Sequence, residues 1–130
     1  MATVSGEFSV GMAAQAAEEG YPGVGRMVLD KRYEGALDAH GAGQMLATHG
    51  SVAGSAAYVA IETVTGRLQG REGSFALVHH GLMTRGQPSL DIGVVPDSGT
   101  GALAGLTGRM RIRVEGHRHF YDFDYDLPQG

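Results

Sequence analysis

The chain contains no cysteine, which excludes disulfides, thiol catalysis and thiolate metal sites. Proline is scarce, four residues against 22 glycines. Such a chain calls for many tight turns and bulges, yet it lacks the composition of a disordered one. Positive charge is also short: ten Lys and Arg against 14 Asp and Glu give a formal charge of −4 and a pI near 5.8. Nucleic acid and anionic membranes both require a basic surface, so neither is an expected partner. No apolar run approaches the ~18 residues of a membrane helix. The first residues, Met-Ala-Thr-Val-Ser-Gly-Glu, have neither the charged nor the apolar region of a signal peptide, and the expected location is the cytoplasm. The 130 residues are expected to form one domain, 1–130, long enough to bury a core.

What the chain does have is a succession of strand signatures. The most informative runs from Tyr58 to Met83, two arms rich in β-branched and aromatic residues and bounded by glycine. A turn symmetric about Arg71 and Glu72 sets Gly70 opposite Gly73, Val64 opposite His79 and Glu62 opposite Gly81. Side chains alternate faces along a strand. Tyr58, Ala60, Glu62, Val64 and Leu68 therefore share a face with Phe75, Leu77, His79, Gly81 and Met83. That face is apolar except for Tyr58, Glu62 and His79. Glu62 and His79 stand on diagonal positions, within side-chain reach at roughly 7–8 Å between backbones, and Gly81 leaves space in front of Glu62. The opposite face, with Val59, Ile61, Val78 and Leu82, is apolar enough to need cover, either from a second subunit or from the chain's own loop or N-terminal helix.

The remaining segments read as follows. Residues 2–10 alternate as a half-buried strand. Met12 to Glu19 is alanine-rich and suits two helical turns ended by Gly20 and Tyr21-Pro22. Val24 to Tyr33 is a strand with Met27, Leu29, Lys31 and Tyr33 on one face. The plain expectation for Lys31 there is a packed stem with its ammonium at the rim. Leu37 to His49 is a third strand in which Gly41 and Gly43 invite a bulge, leaving open the facing of His40, Gln44, Met45 and His49. Ser89 to Val95 is another strand, stopped by Pro96. The glycine-rich run 96–108 fits neither nucleotide-binding motif. It suits one short helical turn around Ala102 to Ala104, capped by Ser98 or Thr100 and ended by Gly105. The last hairpin turns at Gly116-His117 and sets Arg111 against Asp122 and Arg109 against Asp124. Its aspartates thus read as a salt-bridged outer face rather than a metal site. About eight strands joined by short turns predict an all-β fold: an eight-stranded antiparallel, calyx-like barrel with at most short helical turns. An open two-sheet sandwich is the competing arrangement.

Three stretches carry a family resemblance: Tyr-Val-Ala-Ile-Glu to His over 58–79, Ser-Gly-Thr-Gly-x-Leu-x-Gly-Leu-x-Gly over 98–108, and His-x-Tyr-x-Phe-x-Tyr-x-Leu-Pro over 119–128. Together they resemble a family of small, uncharacterised bacterial proteins with an allene-oxide-cyclase-like β-barrel. The Gly-Thr-Gly loop is also similar, more weakly, to plant allene oxide cyclases and dirigent proteins. The resemblance implies a calyx-like barrel, usually oligomeric. Position 44, more often glutamate in that family, is Gln44 here. The plant enzymes shape a flexible apolar substrate for cyclisation without a cofactor, an analogy at the level of the fold.

Three functions are open on these residues. The first is a cofactor-independent isomerase or cyclase of a small apolar metabolite such as a polyketide or oxidised lipid. Glu62 would be its acid–base group and His79 the group that orients it or carries the proton. Tyr58, Lys31, Gln44, His119, Tyr121, Phe75 and Met83 would contact the substrate. The second is a non-catalytic carrier or sensor enclosing the same kind of ligand. The third is a packed barrel whose interior polar groups only satisfy one another. No cofactor and no metal is expected. A homo-oligomer, a dimer first of all, is.

Overall fold

In a computed structural model that describes residues 1–15 and 23–128, the chain forms an all-β fold. Its strands are β1 (Ala2–Ala14), β2 (Gly25–Gly35), β3 (Leu37–His49) and β4 (Ala56–Leu68), then β5 (Arg71–Thr84), β6 (Gln87–Val94), β7 (Thr107–Glu115) and β8 (Arg118–Asp126). Each pairs antiparallel with its neighbour in sequence, and β1 returns to pair with β8, so the sheet closes into a barrel. Closure rules out the open sandwich, and its thinnest seam is β6–β7, where only Ile92–Met110 and Gly93–Arg109 pair. Among the described residues no helix is long and apolar enough to cross a membrane.

The two ends of the barrel differ. At the closed end, tight turns join β2 to β3 and β4 to β5, and Leu37, Leu68, Phe75, Leu103, Leu106 and Phe123 pack into one buried cluster. Phe75 and Phe123 stack there with ring centroids 5.8 Å apart. The β6–β7 loop is fastened across this end. It holds a 3-10 turn at Gly101–Leu103, one residue before the expected position and without a side-chain cap. The hydroxyls that were to cap it bond to β5 instead: Ser98 Oγ accepts from the Ala76 amide at 3.0 Å and Thr100 Oγ1 from the Ser74 amide at 3.1 Å. At the opposite end, open among the described residues, the interior positions are occupied by Met45, Ala47, Tyr58, Gly81 and Met83.

Register differs from the sequence reading in one hairpin. The β4–β5 turn is centred on Gln69 and Gly70, both with positive φ (48° and 81°), as a two-residue primed turn requires. Leu68 therefore faces Arg71, Val64 faces Phe75, Glu62 faces Leu77 and Tyr58 faces Gly81. The slip along β5 is an even number of residues, so every side chain keeps its expected face. The expected bulge at Gly41 and Gly43 is absent, and pairing runs unbroken through both. Met12 to Ala14 extend β1 rather than coil, because pairing with Met27 to Leu29 outweighs the helix preference of alanine. Residues 16–19 of that expected helical segment lie outside the described residues.

The last hairpin keeps its predicted register, Arg111 opposite Asp122 and Arg109 opposite Asp124. Its ion pairs run diagonally instead: Arg111 to Asp124 at 3.3 Å, Arg113 to Asp122 at 2.7 Å, and Arg109 across to Asp91 on β6. Long side chains on a twisted sheet reach diagonal neighbours as readily as opposite ones.

Candidate functional site

Midway down the barrel, four side chains from three strands converge. β2 supplies Lys31 and Tyr33 on successive inward positions, β4 supplies Glu62, and β5 supplies His79 one inward step toward the open end. Glu62 is fully buried, and Lys31 and His79 are 6% and 3% exposed. Lys31 Nζ donates to Glu62 Oε1 at 3.1 Å, and His79 Nε2 meets the same oxygen at 2.9 Å. The Tyr33 hydroxyl donates to Oε2 at 2.5 Å. Room for this carboxylate comes from Gly41, where a Cβ would stand 2.2 Å from Oε2.

Burial alone would raise the Glu62 pKa. The hydrogen bond from His79, the charge of Lys31 and the hydrogen bond from Tyr33 outweigh it and hold the carboxyl below its ordinary value. Burial, reinforced by the adjacent Glu62 charge, pushes the Tyr33 phenol far above its usual range. The carboxylate is thus ionised and the phenol is a neutral donor. Lys31 also lies 5.4 Å from the Phe8 ring centroid and 5.9 Å from that of Tyr33, each a cation–π contact.

His79 has a second nitrogen, Nδ1. Among the described residues, His79 hydrogen-bonds only through Nε2. Nδ1 has no hydrogen-bond partner among the described residues, and His79 as a whole is 3% exposed. A neutral imidazole that donates Nε2–H to Glu62 presents a lone pair at Nδ1.

Above this layer the open end holds a cavity of about 700 Å³, lined by Met45, Ala47, Tyr58, Gly81, Met83 and Leu90 among others, with no Asp, Glu, Lys or Arg. Tyr58 lies across Gly81, where a Cβ would stand 2.2 Å from its ring. Gly81 therefore makes room for Tyr58, not for Glu62 as the earlier register implies. The Tyr58 hydroxyl has no protein partner among the described residues, and burial raises its pKa.

Of the residues singled out by sequence, Lys31, Glu62 and His79 are brought together, with Tyr58 and Met83 lining the space above them. Lys31 does not reach the rim; its ammonium is buried because the Glu62 charge lies within hydrogen-bonding distance. His119 is half-buried behind Phe8, with ring centroids 5.4 Å apart. Three residues are corrected. Gln44 points outward, exposed, and accepts a hydrogen bond from Arg26. Phe75 belongs to the closed-end core. Tyr121 is fully buried and its hydroxyl is committed to backbone, donating to Glu34 O at 2.8 Å and accepting from the Leu37 amide at 3.0 Å. Tyr33 and Gly41 belong to the site and were not singled out. Tyr33 shares an inward face with Lys31 in the sequence pattern, which was the available signal. Among the described residues no three His, Asp or Glu side chains gather into a metal-sized cluster.

The profile of a family described as "Protein of unknown function (DUF3224)" matches residues 4–125. The crystal structure of a protein with unknown function from that family, from Shewanella oneidensis MR-1, is similar at 47% identity. The match covers 100% of this chain and 99% of that one, with a TM-score of 0.93. No protein of curated function matches the chain.

Proposed function

The chain belongs to the DUF3224 family, and from its interior we propose that it takes a small, largely apolar molecule into the open end and isomerises or cyclises it by proton transfer, without a cofactor. A polyketide or an oxidised lipid is of the right kind. The observation that carries this reading is a buried Lys31–Glu62 ion pair, hydrogen-bonded to His79, beneath a cavity of about 700 Å³ lined without Asp, Glu, Lys or Arg. Cavities of that size and lining suit small ligands. Glu62 has no exposed surface, so in this reading it orients rather than touches. It holds Nε2–H of His79, and His79 exchanges the proton through Nδ1, the division of labour of a carboxylate–histidine pair. Tyr58, with a free hydroxyl at the cavity floor, would position a substrate oxygen.

A carrier is the second reading. It is favoured by one observation: the cavity lining ends at Tyr58 and Gly81, one layer above His79. One experiment separates the two. Nile red, a neutral apolar dye, should bind the wild type, and Ala47→Trp, which fills the cavity from its lining, should weaken binding about tenfold or more. A candidate substrate displacing the dye should turn over only in the isomerase case, with His79→Gln losing something like 10²–10⁴ in rate. Absence of dye binding to the wild type would sink both readings and leave a packed barrel.

A further inference from the structure

Resting on that reading, we propose that the molecule acted on carries a neutral carbonyl group beside an ionisable C–H bond, and that Lys31 is the group that binds the carbonyl oxygen. The first observation is a surplus of donors. An ammonium has three N–H bonds, and among the described residues Lys31 uses only one, to Glu62. The second is placement. Lys31 Nζ and His79 Nε2 lie 3.1 and 2.9 Å from the same carboxylate oxygen, so the cationic donor and the imidazole ring share one carboxylate. The third is charge. Lys31 and Glu62 cancel, and the cavity above is lined without Asp, Glu, Lys or Arg. An anionic headgroup would have to be stripped of water and set against the Glu62 carboxylate. A hydrocarbon would leave the Lys31 donors unanswered. A neutral carbonyl oxygen satisfies them without added charge.

The step balances within these groups. His79 Nδ1 takes the proton from the carbon next to the carbonyl. The C–H electron pair becomes a C=C bond, and the carbonyl π pair moves to oxygen, where the Lys31 N–H bonds strengthen as charge develops. His79 then returns its proton to the same carbon or to another along the conjugated system. No oxidant or reductant is consumed.

The test uses 4-phenyl-2-butanone, a neutral ketone, and butylbenzene, a hydrocarbon of similar size without the oxygen. The wild type should bind both, the ketone about tenfold or more tightly, as a hydrogen bond to a charged group implies. In D2O it should speed deuterium entry next to the carbonyl, read by NMR. Lys31→Met/Glu62→Gln keeps the interior neutral; it should bind butylbenzene as the wild type does and lose the ketone preference. Equal binding of the two probes by the wild type overturns the carbonyl assignment while leaving the apolar cavity standing. Ketone preference without exchange overturns the proton-transfer step, and failure of both probes to bind overturns this inference and the proposed function together.

Discussion

Glu62 is a carboxylate whose charge is decided by its neighbours against its burial, and this has consequences for stability. Its folded-state pKa lies below the ordinary 4.5, so ionisation is favoured by folding. The stabilisation is fully present above the unfolded value and is lost as pH falls through the folded one. The melting temperature should therefore drop as the solution is acidified below about pH 4.5, and a Glu62→Gln variant should show less of that drop. Glu62→Gln carries a penalty of its own, because the Lys31 ammonium, 6% exposed, is left without a counter-charge. Breaking a buried pair from one side costs about 3–5 kcal/mol. Replacing both partners, as in Lys31→Met/Glu62→Gln, should restore most of it. Urea unfolding of the two variants reads the difference directly. Equal losses would mean that Lys31 finds another partner or reaches water once Glu62 is neutral.

At the scale of strands and turns, the inward set of the central hairpin was legible before the structure, and so was the barrel, because alternation fixes faces independently of register. Register was not. Sequence centres the turn on Arg71 and Glu72, with Gly70 opposite Gly73, whereas positive φ at Gln69 and Gly70 centres it earlier in the chain, and side-chain alternation fits both positions. Tyr121 illustrates a second limit: alternation correctly turns it inward, but its backbone partners lie at the β2–β3 turn, 84 to 87 residues away in sequence. Gly41 and Gly43 show a third. Sequence reads them as a bulge, while the structure uses them for close approach between β3 and β4. A Cβ at 43 would meet the Ile61 carbonyl oxygen at 2.2 Å and Glu62 Cα at 2.8 Å, both backbone, whereas one at 81 would meet only the Tyr58 ring. Gly43→Ala should accordingly cost about 1–3 kcal/mol in unfolding experiments, as overpacking does. Gly81→Ala should cost less, because the ring can swing into the cavity, and should instead weaken Nile red binding. The reverse ranking in the two assays would show that Tyr58 is the more rigid element.

Over the molecule as a whole the outer surface divides in two. The β1, β7 and β8 side is laced with ion pairs, among them Glu7–Arg118, Asp122–Arg113 and Asp124–Arg111. The β3–β5 side presents Leu46, Val59, Ile61, Val78 and Leu82, each 41–55% exposed, on neighbouring strands in register. We propose that two copies meet on this face. A self-facing contact needs a patch that repels neither itself nor its image, and an uncharged apolar sheet surface meets that condition. Three strands, β3 to β5, spaced ~4.8 Å apart and followed for about seven residues at ~3.3 Å each, give a flat footprint on the order of 300 Å². A standard interface buries about 800 Å² of accessible surface per partner. Even with side-chain relief added, the patch belongs at the small end of the range, so the dimer should dissociate on dilution. Sedimentation of the wild type should show dimer at tens of micromolar giving way to monomer well below one micromolar. Ile61→Lys, central to the patch and outside the barrel, should be monomeric throughout while leaving Nile red binding unchanged. A wild type that stays monomeric at the highest concentration would remove the dimer, and an Ile61→Lys variant that still dimerises would place the contact on another face.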